Sequence, residues 1–173
     1  MPLPSLAGLT QKSVVGIADL AVSTNPNVEL ATYSLGSCLG VSLYDPVSKV
    51  GGLLHIMLPD SSIDPVKAAL QPAMFADTGL PAMLHAAHKL KADKKRVQIC
   101  VAGGAQILDT SGIFNIGRKN YESLACVLQQ HGLSVQAEHV GGLVSRSMYL
   151  NIATGEVRLK ISGQPNERIL WTS

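Results

Sequence analysis

Cys38 and His55 are the two side chains whose types and spacing best suit chemistry in this chain. A free thiol has an ordinary pKa of about 8.5 and is mostly protonated at neutral pH, but an adjacent imidazole can take its proton or stabilise the thiolate. The thiolate attacks carbonyl carbon, so the pair suits acyl transfer by a cysteine nucleophile. Taken singly, Cys38 would be a small buried hydrophobe and His55 a satisfied core histidine. The segment that carries them is what sets them apart.

Leu39, Val41 and Leu43 alternate with Gly40, Ser42 and Tyr44, and a second alternating run carries Leu54, Ile56 and Leu58. Both runs have the period of half-buried strands, and Asp45-Pro46-Val47-Ser48 between them supplies the turn. Centring the loop on Pro46 and Val47 sets Leu39 against Leu54, Val41 against Gly52 and Leu43 against Val50 on the core face. On the opposite face Gly40 meets Leu53, Ser42 meets Gly51, and Cys38 directly opposes His55. Opposed residues have Cβ atoms about 4.5–5.5 Å apart, within proton-sharing range for thiol and imidazole. Gly36, Gly40, Gly51 and Gly52 leave little bulk around the pair, which admits a substrate carbonyl and allows backbone N–H groups to act as an oxyanion hole.

The block Leu35-Gly-Ser-Cys38, Tyr44-Asp-Pro, Gly51-Gly52 and His55 with Met57-Leu-Pro resembles the chemoreceptor glutamine deamidases of bacterial chemotaxis, the CheD family. Matching residues continue in Gly103-Gly-Ala105, Asn115-Ile-Gly117 with Asn120, and Gly141-Gly142 with Arg146, so the likeness spans residues 14 to 161. The chain departs from the family pattern in having Ser145 before Arg146 and Lys119 before Asn120. The resemblance implies a compact α/β sandwich, Cys38 as nucleophile, His55 as base and Thr32, at the family's third catalytic position, as the residue that orients the histidine. Ser37, Gly36, Asn115 and Gly104 are expected to line the site or bind substrate; the resemblance implies a substrate-loop role for Asn115 and Asn120, which as plain structure would be hydrogen-bonders at a helix start. The implied reaction converts glutamines of methyl-accepting chemotaxis receptors to glutamate. The alternative is a binding module that regulates a CheC-type phosphatase. A cysteine peptidase or transglutaminase would use the same dyad.

The elements that must position these residues fit one domain over 1–173. Of the 173 residues 46% are hydrophobic but only 4% aromatic, so an aliphatic core is expected. The expected fold is a mixed, mainly antiparallel α/β sandwich with two main helices. A net charge of +2 is too small for a nucleic-acid footprint. The run Lys89, Lys91, Lys94, Lys95 and Arg96 reads first as a solvated helix end, with docking of an acidic partner as the second reading. Three cysteines without framework spacing suit a reducing cytoplasm, and Cys100 and Cys126 read as structural. There is no leader pattern and no apolar run near the about 18 residues of a membrane span, so no membrane insertion is expected. His85 and His88 lack a third ligand, and Gly103-Gly104 lacks a phosphate-loop lysine, so no metal and no cofactor are expected.

Along the chain, residues 1–12 read as a loose arm, Ser13 to Ala21 as one strand, Val28 to Ser34 as the next, and Asp60 to Gln71 as a loop with a helical turn. A helix over 78–92 carries Pro81 in its first turn. Val97 to Ala102 is an apolar strand. The second helix buries Tyr121, Leu124, Ala125 and Leu128 and stops at Gly132. Leu133 to His139, Leu143 to Ile152 and Val157 to Ile161 are strands, the last two a hairpin. Residues 163–173 form a tail whose Ile169, Leu170 and Trp171 can dock on the body or on another protein.

Overall fold

The computed structural model describes residues 9–107 and 111–173. Two five-stranded sheets face one another. One has the order β1 (Gln11–Val14), β3 (Val28–Leu35), β8 (Arg146–Asn151), β9 (Val157–Ile161) and β10 (Arg168–Trp171). The other has the order β2 (Leu20–Ser23), β5 (Val50–Ile56), β4 (Leu39–Asp45), β6 (Gln98–Gly103) and β7 (Val135–Val140). Only the β1/β3 and β6/β7 pairs are parallel. The short α1 (Pro65–Leu70) is followed by the two substantial helices, α2 (Ala76–Lys89) and α3 (Ile116–Gln130).

Every residue of β4 and β5 is buried, because each face of these strands meets a different layer. Leu39, Val41, Leu43, Leu54 and Ile56 pack under α2 and α3 with Leu80, Met83, Leu124 and Leu128. Tyr44 and Leu53 face the other sheet, among Leu30, Leu35, Met148, Leu150 and Leu159. The face expected to turn away from the core is therefore a second interior. Three of the four glycines expected to leave space around the pair instead accommodate packing. A Cβ on Gly40 would lie 2.8 Å from a Leu35 methyl, one on Gly51 2.4 Å from Ile152, and one on Gly52 3.1 Å from Val22.

The hairpin register differs by two residues from the expected one. Leu39 pairs with Ile56, Gly40 with His55, Val41 with Leu54 and Asp45 with Val50. The Asp45 carboxylate accepts from the Val47 and Ser48 amides, the Lys49 amide donates to the Asp45 carbonyl at 2.9 Å, and Lys49 closes the turn with φ +55°. One helical turn closed by a left-handed residue moves the loop centre past Val47, which a reading based on Pro46 at the second turn position misses. Asp45 is wholly buried and also bonds Arg96 and the Asp93 amide; these donors hold its carboxyl well below the usual carboxylate range.

Four further expectations change. Ser13 to Ala21 is not one strand: β1 ends at Val14, Ala18 takes φ +59°, and β2 starts at Leu20. Pro81 lies inside α2, which begins at Ala76. The buried face of α3 is Gly117, Asn120, Leu124, Val127 and Leu128, while Ala125 and Cys126 are exposed. Of its two expected places the tail takes the body, where β10 pairs with β9 and the Trp171 indole donates to Gln98 at 3.2 Å. Residues 1–8 of the expected arm lie outside the described residues, and Gln11 and Lys12 belong to β1.

Candidate active site

Thr32 on β3 and His55 on β5 come from different sheets and meet between them. Both are wholly buried. The Thr32 hydroxyl lies 2.8 Å from the Val15 carbonyl and 2.7 Å from His55 Nδ1. A carbonyl can only accept, so the single hydroxyl proton goes to Val15, and Nδ1 must then carry the proton it donates to Thr32. That assigns the tautomer from the bonding network and leaves the Nε2 lone pair available. Nε2 is buried and has no hydrogen-bond partner. Burial, with no countercharge, pushes the His55 pKa down to about 4.

The segment between β1 and β2 seals this contact. Val15 and Ala18 are buried, the Ala18 amide donates to the His55 carbonyl at 3.1 Å, and the His55 amide donates to the Asp19 carbonyl at 3.0 Å. The Gln71 amide group braces the turn by donating to the Ala18 carbonyl at 2.9 Å. The break in the expected first strand thus serves to hold the histidine.

Cys38 is half-buried just before β4 and packs at the margin of the inter-sheet core. Gly40, rather than Cys38, directly opposes His55. A two-residue shift keeps the face, so Cys38 becomes a diagonal neighbour of His55, a relation in which Cβ atoms lie somewhat under about 7–8 Å apart. Burial pushes the Cys38 thiol pKa up. A raised thiol beside a lowered imidazole makes the resting pair neutral.

Three carbonyls of the cysteine loop are tied back into the protein. Gly36 accepts from the Ala105 amide at 2.8 Å, Cys38 from the Gly104 amide at 2.9 Å, and Ser37 from the Asn120 side chain at 3.0 Å. The same Asn120 amide group donates to the Met57 carbonyl at 3.1 Å, joining the cysteine loop to the end of the histidine strand. Gly103, at φ +112°, has to be glycine because a Cβ there would sit 2.2 Å from the Cys38 carbonyl oxygen. Arg146, almost wholly buried, props this turn through the Gly103, Gly141 and Val144 carbonyls and His139 Nδ1.

Cys38 opens onto a cleft of about 520 Å³. Gly36, Ser37 and Asn115 line it together with Ile107, Phe114 and Ser145, and no described lining residue is charged. Asn115 starts α3 in the left-handed region and accepts from the Gln106 side chain; it makes no side-chain cap. Gly104 lies buried behind the loop and borders a smaller groove on its far side. Among the described residues no His, Cys, Asp and Glu cluster could hold a metal. Sequence reasoning gave Asn120 a helix-start or substrate-loop part and none in linking the two loops. Val15 carried no signal.

A model of the family described as "CheD chemotactic sensory transduction" matches residues 57–161. A protein of Solibacter usitatus named probable chemoreceptor glutamine deamidase CheD is 42% identical over 159 residues, 92% of this chain and 94% of that one. A Syntrophus aciditrophicus protein, named as CheD 1 of the same kind, is 47% identical over 88% of this chain and 95% of its own length. One from Pyrococcus abyssi, with the Solibacter name, is 39% identical over 93% of this chain and 99% of its own. A crystal structure of the Bacillus licheniformis hypothetical protein YfiH aligns at a TM-score of 0.38 and 12% identity over 72% of this chain and 49% of that one, a likeness too weak to bear on function. No described helix is long and apolar enough to cross a membrane. Identity of this extent over nearly the whole length shows that this chain belongs to the CheD family.

Proposed function

We propose that the chain is a protein-glutamine deamidase acting on chemoreceptors, with Cys38 as nucleophile, His55 as general base and acid, and Thr32 as the residue that positions the imidazole. The carrying observation is His55 itself, with Nδ1–H held by Thr32 and Nε2 buried without a hydrogen-bond partner, on a residue that the register makes a diagonal neighbour of Cys38. The names of relatives matched over most of the chain support the substrate class.

Because the resting pair is neutral, His55 acts as a base during attack. Nε2 takes the thiol proton as Sγ bonds to the carboxamide carbon of a receptor glutamine, and the carbonyl oxygen becomes an oxyanion. The Gly36 amide is spent on the Ser34 carbonyl at 2.9 Å, so the backbone N–H groups of Ser37 and Cys38 are the assigned oxyanion donors. The imidazolium returns its proton to the departing nitrogen, ammonia leaves, and a thioester remains. Water then attacks with Nε2 again as base, giving glutamate and the free thiol. A lining whose described residues carry no charge accepts a neutral carboxamide more readily than the carboxylate product, which favours release.

A cytoplasmic location belongs to the same reading and is supported by the receptor substrate class that the relatives' names carry. No observation favours the alternative of a module whose main task is to regulate a CheC-type phosphatase. The test is mass spectrometry of a receptor cytoplasmic fragment: wild type should add about one mass unit per modified glutamine and release ammonia, and Cys38→Ala should do neither while remaining folded. Peptide cleavage or amine incorporation in place of that change would overturn the reading.

A further inference from the structure

The active-site cleft leaves the opposite end of the helix-covered sheet without a task. β4 runs from Leu39 near the cleft to Asp45, and β6 pairs antiparallel with it from Gln98 to Gly103. The turn that enters β6 is therefore a full strand length, about 20 Å, from Cys38. Charge is concentrated there. Residues 85–96 contain five of the fourteen Lys and Arg and one of the twelve Asp and Glu, a net of +4 that leaves −2 for the rest of the chain.

Arg96 is committed to Asp45 and Asp93. Lys89, Lys91, Lys94 and Lys95 are exposed, and among the described residues their side chains have no ion pair. A helix end accounts for only part of this, because the dipole reaches about one turn. Of the four lysines only Lys89 lies in the last turn of α2. Lys91, Lys94 and Lys95 follow the helix in a turn set by Lys91 at φ +77° and by the Asp93 carboxylate on the Lys95 amide. Lys94, His85, His88 and His131 border a recess of about 280 Å³ with Leu84 and Val97 in its lining.

We infer that this face docks an acidic amphipathic helix of the protein substrate. Its apolar side chains would enter the recess and its carboxylates would meet the four lysines. That the helix belongs to the substrate rests on the deamidase reading; that it is acidic and amphipathic rests on the charge and the recess alone. The concavity favours a protein segment, since a lipid surface needs apolar side chains that project. At about 1.5 Å per residue, some 14 residues of helix reach from this face to Cys38, so a long helical substrate can occupy both places.

The experiment compares wild type with the triple variant Lys89→Glu, Lys94→Glu and Lys95→Glu. The first probe is a fluorescein-labelled helical peptide with glutamate on one face and leucine on the other, at about 50 and 300 mM salt. The second is conversion kinetics on a receptor cytoplasmic fragment. The inference expects peptide binding weaker by about tenfold or more in the variant, salt sensitivity lost with it, and KM for the fragment raised in step. The kcat and the rate of Cys38 alkylation by iodoacetamide should stay unchanged. Equal peptide binding by the two proteins, or an unchanged KM, overturns the inference. So does binding to phosphatidylglycerol vesicles in preference to the peptide. Absence of conversion by wild type defeats the deamidase reading, while the peptide measurement still judges the surface.

Discussion

Replacing Thr32 by valine keeps the shape of a wholly buried side chain and deletes one oxygen. That oxygen accepts from His55 Nδ1–H and donates to the Val15 carbonyl. Stranding each buried partner costs about 1–3 kcal/mol, so Thr32→Val should lower stability by about 2–4 kcal/mol after the added methyl is credited. The catalytic effect follows from the charge that develops. In the proposed mechanism His55, neutral at rest, becomes imidazolium as it takes the thiol proton, which strengthens the Nδ1–H to Thr32 bond in the transition state. A hydrogen bond to a charged group contributes about 1.5–3 kcal/mol, or roughly 10- to 150-fold in rate. Thr32 is not among the cleft-lining residues, so the loss should fall on kcat with KM unchanged. Thr32→Ser retains the hydroxyl and should recover most of the rate. Ammonia release from a receptor fragment, measured at a temperature where each variant is folded by circular dichroism, gives both constants. A folded Thr32→Val protein with wild-type kcat, or a serine variant no better than valine, refutes the assigned part.

The remaining predictions concern His55 and Asn120. His55 has a folded pKa of about 4 against about 6.5 unfolded, so between those values the unfolded chain binds more protons and stability falls as pH drops. From pH 7.5 to 5 this one group should remove about 2 kcal/mol, a slope that denaturant titrations should find missing in His55→Gln; an equal slope in both proteins would contradict the buried neutral imidazole. Turnover on the acid side should likewise fall only as pH approaches about 4. In Asn120→Asp, a carboxylate replaces the donor to the Ser37 and Met57 carbonyls, so the cysteine loop should shift relative to the histidine strand. Expected are a kcat lower by about 10- to 100-fold and slower Cys38 alkylation, with KM little changed; wild-type values for both would remove Asn120 from the positioning set.

The strand pattern around Cys38 and His55 was legible because period-two alternation is a local property, and β4 and β5 fall where the apolar runs place them. The register was not legible, because it was decided by Asp45 capping two amides and by Lys49 accepting a left-handed backbone. Nor was it evident that both faces of the hairpin are buried. Gly40 and Gly51 read as open space, whereas they admit Leu35 and Ile152 from elsewhere in the chain. The third position was reached by resemblance alone. A threonine in an alternating strand carries no mark of function, and its contact with His55 depends on two sheets stacking and on Val15 turning its carbonyl toward the same point.

The expected site tolerated a wrong register for a reason that follows from the pleat. A slip of two residues moves every cross-strand partner and leaves every side chain on its original face, so Cys38 and His55 passed from direct to diagonal neighbours. A slip of one would have sent one of them under the helices. The price of the true arrangement is that His55 belongs to the inter-sheet core as much as to the site. Its ring is held by Thr32, its backbone by Ala18 and Asp19, and its free nitrogen is kept dry by the same burial that lowers its pKa. Substitutions at His55 and Thr32 should therefore disturb stability and rate together, whereas Cys38, half-exposed at the cleft, can lose its sulfur with little effect on the fold.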